Sequence, residues 1–225
     1  MKYQDYTRHV YNKLSPRKKH ELFYYSLFDP SGWEELSMPP LKTIQEELPK
    51  KVVNLIRRAT KHQSVRSKIK RKENFLRNFV YAGKLCHFTL AAALKGKRVN
   101  ARPSQRFPDL VIKGREEIGL EVKRLVSCTN LKERIDDEVV KPLKDGKWRQ
   151  KIKLLLLFPQ LEKENPDRIQ RIIDGFYLIK EYVKHKFDVE IGILCVCVEK
   201  EYHEDSQYSF DKIIDKLSKW IPTQN

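Results

Sequence analysis

The sequence is short of the features that mark several large classes of protein. Its four cysteines are too few for a disulfide framework in a chain of 225 residues. Its eight glycines form neither a glycine-rich phosphate loop nor a dinucleotide-binding fingerprint, so we expect no nucleotide cofactor. No apolar run approaches the length of a membrane span, and the first thirty residues hold no apolar signal segment. These absences predict a soluble, intracellular, cytoplasmic protein without a membrane partner.

Acidic residues are also scarce relative to basic ones. The chain has 46 Lys and Arg against 30 Asp and Glu, a formal net charge of +16. Because each phosphate that such a surface neutralises releases counterions, the excess favours a polyanionic partner. Ten Lys or Arg and no acid lie between Lys50 and Lys72, which indicates a surface that follows a nucleic-acid backbone. The alternative is a soluble basic protein with no such partner.

Hydrophobic periodicity predicts an α/β fold, with a mixed sheet flanked by helices. Residues 1–70 show no strand alternation and are predicted to form a basic helical extension, followed by a domain over residues 71–225. The aromatic cluster around Phe23, Tyr24 and Phe28 either fills the core of that extension or stacks on bases. The predicted elements that follow are one helix from Glu73 to about Leu94, a hairpin around Lys113–Glu116, a charged helix with a solvated acidic face over Leu131–Leu143, a buried strand over Ile152–Phe158, a helix from Pro166 to about Lys186, a buried strand over Val189–Val198 and a helix over Phe210–Ile221.

The second strand of the predicted hairpin carries an unusual set of charges. In Ile118–Lys123 the apolar side chains alternate with Gly119, Glu121 and Lys123, which therefore share the opposite face. The small glycine is expected to leave open space beside the two charges. Across the hairpin, Asp109 stands at the start of the partner strand, where it can approach Glu121 and Lys123 as the pair opens.

This set suits metal-assisted hydrolysis of a phosphodiester bond. Two carboxylates supply hard oxygen ligands to Mg²⁺ or Mn²⁺. The ion would neutralise a phosphate and lower the pKa of a bound water. A nearby ammonium would hold that water or stabilise charge that develops on the phosphate oxygens. A Glu and a Lys two residues apart are also common as a plain surface ion pair, so the spacing alone leaves both interpretations open.

Pro108-Asp109, followed after eleven residues by Glu121-Val122-Lys123, resembles the signature of the PD-(D/E)XK nuclease superfamily. This superfamily includes many restriction endonucleases and the archaeal Holliday-junction resolvases. The resemblance implies that Asp109 and Glu121 bind the metal, with the backbone carbonyl of Val122 as a further ligand, and that Lys123 serves the water. It also implies a restriction-endonuclease-like α-β-β-β-α-β core, here with an N-terminal helical extension and an additional C-terminal helix-strand-helix.

Members of the superfamily often add an acid from the helix before the hairpin, and Glu73 is the candidate for that ligand. His87 lies fourteen residues after Glu73, which is about 21 Å along one straight helix. The two residues could not share a metal on such a helix, and His87 is interpreted as a histidine at the edge of the core.

Two further groups of residues are predicted to contact DNA. The segment before Asp109 is placed to touch phosphates near the scissile bond, although an ordinary polar loop is an equal alternative. The second group belongs to the basic stretch, which could also resemble a nuclear-targeting signal. The predicted contact residues are Arg102, Ser104, Gln105, Arg106, Arg66, Lys68, Lys70 and Arg71.

The sequence therefore predicts a Mg²⁺- or Mn²⁺-dependent DNA endonuclease. Similarity to the resolvases implies a homodimer that acts on branched DNA such as a Holliday junction. A nuclease encoded by an archaeal virus, and so acting in the host cell, is compatible with this interpretation. Two alternatives remain open, namely a DNA-binding protein of the same fold without hydrolysis and a basic structural or assembly protein.

Overall fold

A five-stranded mixed sheet forms the centre of the molecule, with helices on both faces. The computed structural model describes residues 1–28, 41–71, 73–124, 133, 135–159 and 166–222. The strands are β1 (Ala101–Pro103), β2 (Leu110–Lys113), β3 (Glu117–Arg124), β4 (Lys151–Pro159) and β5 (Gly192–Val198). The helices are α1 (Tyr3–His9), a 3₁₀ turn (Tyr11–Lys13), α2 (Pro16–Ser26), α3 (Leu41–Ala59), α4 (Gln63–Arg71), α5 (Glu73–Tyr81), α6 (Lys84–Gly96), a π-helical segment (Asp136–Val140), α7 (Lys141–Lys144), α8 (Pro166–Phe187) and α9 (Phe210–Trp220).

The strands are ordered β1-β2-β3-β4-β5 across the sheet. The first three pair antiparallel, whereas β3, β4 and β5 pair parallel. The predicted hairpin is confirmed, because Lys113 faces Glu117 and Leu110 faces Leu120 in the β2–β3 register. The α/β class and the mixed sheet are likewise as predicted, and β3 lies at the middle of the sheet, where the two pairing patterns meet.

Strand β4 is covered on both faces, as its continuous apolar sequence predicts. Leu155 and Leu157 belong to a core shared with α2, α6 and α9 on one side of the sheet. Leu154 and Leu156 belong to a second core, which the π-helical segment and α8 close on the other side. The same division applies to β3, so that Val122 faces the first core while Glu121 and Lys123 face the second.

The N-terminal helices pack directly on the first core. Phe23, Tyr24 and Phe28 are buried there, so they pack in a core as predicted, but this core is shared with the sheet and α9 and does not belong to the extension alone. The Phe23 ring lies 4.4 Å from that of Phe210 on α9, centroid to centroid. The hydroxyl groups of Tyr6 and Thr89 are hydrogen-bonded at 2.6 Å, which joins α1 to α6. One hydrophobic cluster therefore runs across the predicted boundary between residues 70 and 71.

The single helix predicted from Glu73 to about Leu94 is wrong, because the chain breaks between α5 and α6. Gly83 precedes α6 with a φ of 71°, a left-handed conformation that glycine adopts without steric cost. A Cβ at this position would lie 3.1 Å from Nε2 of His87. His87 is consequently in the first turn of a separate helix, and the separation that was calculated along one straight helix does not apply.

The charged helix predicted over Leu131–Leu143 is helical in its described residues, but its middle is the π-helical segment, which continues into α7. Val139 and Val140 of the π-helical segment enter the second core. Asp137 remains on the solvated face, 3.3 Å from the ammonium of Lys141. Among the helices described here, none is both long and apolar enough to cross a lipid bilayer.

Candidate active site

Asp109, Glu121 and Lys123 lie together at the point where β2 and β3 separate, and Glu121 contacts both of the others. The backbone amide of Asp109 donates to Oε2 of Glu121 at 3.0 Å. The ammonium of Lys123 donates to Oε1 of the same carboxylate at 2.7 Å. Both oxygens of Glu121 are thus engaged, one by the strand that carries Asp109 and one by its own neighbour on β3.

The position of Asp109 follows from the end of the β2–β3 ladder. The last backbone pair joins Leu110 to Leu120, and Asp109 comes immediately before it. Oδ2 of Asp109 accepts the backbone amide of Val122 at 2.9 Å, so the carboxylate continues the ladder where the backbone no longer can. The carbonyl of Asp109 accepts the amide of Ser104 at 2.8 Å, which fastens the preceding loop to the same place.

The site is more closed than the sequence predicts. Glu121 and Lys123 are only 5% and 8% exposed, whereas the side chain of Asp109 retains 25% of its surface. The open space expected beside Gly119 is absent, because Pro108 and Trp148 fill it. A Cβ on that glycine would lie 2.7 Å from Cγ of Pro108, so the residue serves close packing rather than access.

Glu138 is a member of this site that sequence reasoning missed. Its carboxylate oxygen lies 2.5 Å from the ammonium of Lys123, and its side chain is 43% exposed. Glu138 and Asp137 are both exposed, as predicted for the acidic face, but Glu138 also pairs with Lys123, which the prediction of a purely solvated face did not include. Side-chain spacing on a regular helix could not have shown the difference, because the segment is π-helical and its residues are turned from their α-helical directions.

His87 was also missed as a neighbour of the site. Its Nε2 lies 3.5 Å from Oδ2 of Asp109, across from the ladder hydrogen bond to Val122. Burial, followed by the nearby charges of Arg124 and Lys123, lowers the pKa of His87 to about 3. The contact therefore joins a neutral imidazole to a carboxyl group and is not an ion pair. The glycine at position 83 was the signal in the sequence that could have indicated the break before α6 and so the position of His87.

Arg124 connects the site to helices α2 and α5. Its guanidinium Nη1 donates to the carbonyls of Ser26 at 3.2 Å and Val80 at 3.0 Å, near the C-terminal ends of α2 and α5. A cation is favourable at such ends because the helix dipole is negative there. Strand β3 and the break before α6 are thereby held together, which brings His87 to Asp109.

The electrostatics of the site are dominated by burial and by an excess of carboxylates. Burial raises the pKa of Asp109, and burial together with Asp109 raises the pKa of Glu121 to about 7. Burial would lower the pKa of Lys123, but Glu121 and Glu138 outweigh it and raise the pKa of this ammonium. With Asp109, Glu121 and Glu138 facing Lys123 and Arg124, the group has one negative charge in excess when all are ionised.

The predicted metal ligands are only partly brought together. Asp109, Glu121 and Val122 are adjacent, whereas Glu73 begins α5 and its side chain falls outside what the structure describes. In the described part of the chain, no three His, Cys, Asp or Glu side chains are grouped as a metal site. Asp109 nevertheless keeps Oδ1 without a hydrogen bond to any described residue, and a carboxylate oxygen is the ligand type that Mg²⁺ prefers. The donor chemistry therefore fits a hard divalent cation.

The predicted DNA contacts lie on two surfaces. Arg102, Gln105 and Arg106 are exposed around the loop that leads into Asp109, and Ser104 is partly buried there with its hydroxyl accepting the amide of Arg106 at 3.2 Å. The second surface is the outer side of α4, which buries Val65 and Ile69. Its exposed residues are Arg66, Lys68, Lys70 and Arg71.

The comparisons with known proteins add no relative. No protein-family model matches this sequence, and neither a curated protein nor a solved structure was found to match it.

Proposed function

We propose that this protein is a metal-dependent endodeoxyribonuclease with a restriction-endonuclease-like core. The observation that carries the proposal is the meeting of Asp109, Glu121 and Lys123 at the end of the β2–β3 ladder, where the buried carboxylate of Glu121 is bonded to both of the others. The element order around them, helix, three antiparallel strands, helical segment and parallel strand, also agrees with such a core.

The residues that would hold Mg²⁺ or Mn²⁺ are Asp109, Glu121 and the carbonyl of Val122. Burial, followed for Glu121 by the charge of Asp109, raises the pKa values of these two carboxyl groups, and a bound cation would favour their ionised forms. When bound, such an ion supplies charge neutralisation at the phosphate and a water of lowered pKa.

The side chains of the site would orient the metal ligands and the attacking water. Hydrogen bonds from the backbone amides of Val122 and Asp109 orient the oxygens of Asp109 and Glu121. Lys123, held charged by its carboxylate partners, would hold the attacking water or stabilise charge on the phosphate oxygens.

Affinity for DNA would come from the exposed basic surfaces. The nine described Lys and Arg between Lys50 and Arg71 are all exposed, and in the described residues only Lys51 has a carboxylate partner, Glu47 at 3.5 Å. Unpaired cations of this kind follow a phosphate backbone without reading its sequence. Action on branched DNA by a homodimer is the finer form of the proposal and rests on the similarity to resolvases.

A panel of DNA substrates tests the proposal directly. Four-way junction, flap, single-stranded and linear duplex DNA are incubated with Mg²⁺, Mn²⁺ or EDTA, for the natural chain and for Asp109→Asn. We expect metal-dependent cutting that Asp109→Asn abolishes, while DNA binding is kept because the basic surfaces are unchanged. Undiminished cutting by Asp109→Asn would contradict the proposal.

A second candidate function is a DNA-binding protein of the same fold without hydrolysis. The observation that favours it is the burial of Glu121 and Lys123, since a motif can be present in a form too closed to act. DNA binding by the natural chain without cutting of any substrate in the panel would support this candidate instead.

A further inference from the structure

The two carboxylates that hold Lys123 differ in their access to solvent. Glu121 is paired with the ammonium at 2.7 Å and its side chain is 7% exposed, whereas Glu138 is paired at 2.5 Å and its side chain is 43% exposed. An anion that approaches from solvent therefore meets Lys123 from the side of Glu138. The buried partner would stay in place while the exposed partner could be displaced.

Glu138 is presented from a well-anchored segment. Ile135, Val139 and Val140 are buried in the second core, and the hydroxyl of Tyr182 on α8 donates to Oδ2 of Asp136 at 3.3 Å. The segment is π-helical, a rare form that occurs often at functional sites. This packing holds the backbone at Glu138 next to Lys123, while the half-exposed side chain of Glu138 can turn away from the ammonium.

We propose that the carboxylate of Glu138 occupies the position at which Lys123 receives a phosphate oxygen, so that Glu138 competes with phosphate for the ammonium. The inference deepens the proposed function and rests on it for the identity of the phosphate, a backbone phosphate of DNA. Carboxylate and phosphate oxygens accept the same charge-assisted hydrogen bond from a lysine, which makes the exchange chemically matched. The consequence is that Lys123 is released from Glu138 only when an anion has arrived.

Binding of inorganic phosphate, followed by phosphorus NMR line width at pH 7 without metal, tests the inference apart from any cleavage. We expect Glu138→Gln to lower the dissociation constant for phosphate about three- to fivefold. This factor corresponds to the free energy of one half-exposed ion pair, which phosphate would no longer have to displace. Asp137→Asn is the matched control, because it removes one negative charge from the same segment but from a carboxylate that, among the described residues, pairs with exposed Lys141. In a Lys123→Met background the effect of Glu138→Gln should disappear.

Two results would overturn the inference. One is equal phosphate affinity for Glu138→Gln and Asp137→Asn, which would reduce the effect to net charge. The other is weaker binding by Glu138→Gln in a variant that circular dichroism shows to be folded, which would make Glu138 a purely structural support of Lys123. Neither readout depends on nuclease activity, so absence of DNA cutting would remove the proposed function alone.

Discussion

Cations are used in two opposite ways in the two halves of this molecule. Lys123 is buried at the middle of the sheet and is paired with two carboxylates. The cations of α4 are exposed, and none of them pairs with a carboxylate among the described residues. A buried pair is expensive to break, because the remaining charge loses its partner in a poorly solvated place. An exposed cation contributes little to stability but remains available to an external polyanion.

The largest effect is expected from breaking the buried group. Lys123→Met should lower the free energy of unfolding at pH 8 by about 3 kcal/mol, because Glu121 would be left buried without its ammonium partner. At pH 5 the loss should be smaller, since a carboxyl whose pKa is already about 7 takes up a proton instead. Urea unfolding at the two pH values measures both. Lys141→Met, at an exposed pair with Asp137, is the control and should cost less than about 0.5 kcal/mol.

A related prediction concerns the pH dependence of stability. The pKa of Glu121 is raised from its ordinary value of 4.5 to about 7 on folding, so the folded state binds the proton more tightly than the unfolded state. Stability contributed by this group is therefore present below pH 4.5 and is lost as the pH rises to about 7. Glu121→Gln should remove that decline, which amounts to about 3 kcal/mol. The free energy of unfolding is measured against pH for both proteins. The same pH dependence in both would contradict the burial of this carboxylate.

The residues of the site fall into those that the sequence could place and those that it could not. The alternation in Ile118–Lys123 and the turn at Gly114 were enough to bring Asp109 to Glu121, because strand geometry alternates strictly and the hairpin register is local. Glu138 and His87 could not be placed in this way. Glu138 depends on a π-helical segment that periodicity does not detect, and His87 depends on the backbone break at Gly83.

The fold shows the same contrast between local and non-local information. The buried strand predicted over Ile152–Phe158 was correct within about a residue at each end, because its sequence is apolar on both faces. The sequence could not show that the space beside Gly119 on β3 is filled, because Pro108 and Trp148, which fill it, lie outside β3. Small residues in a strand indicate close packing as often as open space, and only tertiary structure separates the two.

A moderate effect is expected at the helix break. Gly83→Ala should lower the free energy of unfolding by about 1–2 kcal/mol, because alanine is strained at a φ of 71° and its Cβ would approach the His87 ring at 3.1 Å. Thermal unfolding measures this loss. Gly96→Ala, at the other end of α6, is the control, because a Cβ there meets nothing within 4 Å and alanine favours the helix. Equal melting temperatures for the two variants would contradict the left-handed conformation of Gly83.

The smallest effect on stability, and the largest on DNA affinity, is expected from the exposed cations. Replacing Lys68, Lys70 and Arg71 together by Gln should change the free energy of unfolding by less than about 1 kcal/mol, since all three are solvated. The slope of log affinity for duplex DNA against log salt should fall by about 0.9 for each residue that contacts a phosphate.

The control for this prediction is a triple replacement of equal charge on another helix. Lys212, Lys216 and Lys219 are exposed on α9, and their change to Gln removes the same three charges from the chain. If α4 is the DNA-binding surface, the salt slope should fall in the α4 variant and remain close to that of the natural chain in the α9 variant. Equal slopes in the two variants would show that affinity follows total charge. A slope near zero in the natural chain would instead favour a basic structural or assembly protein, because a surface that binds no phosphate releases no counterions.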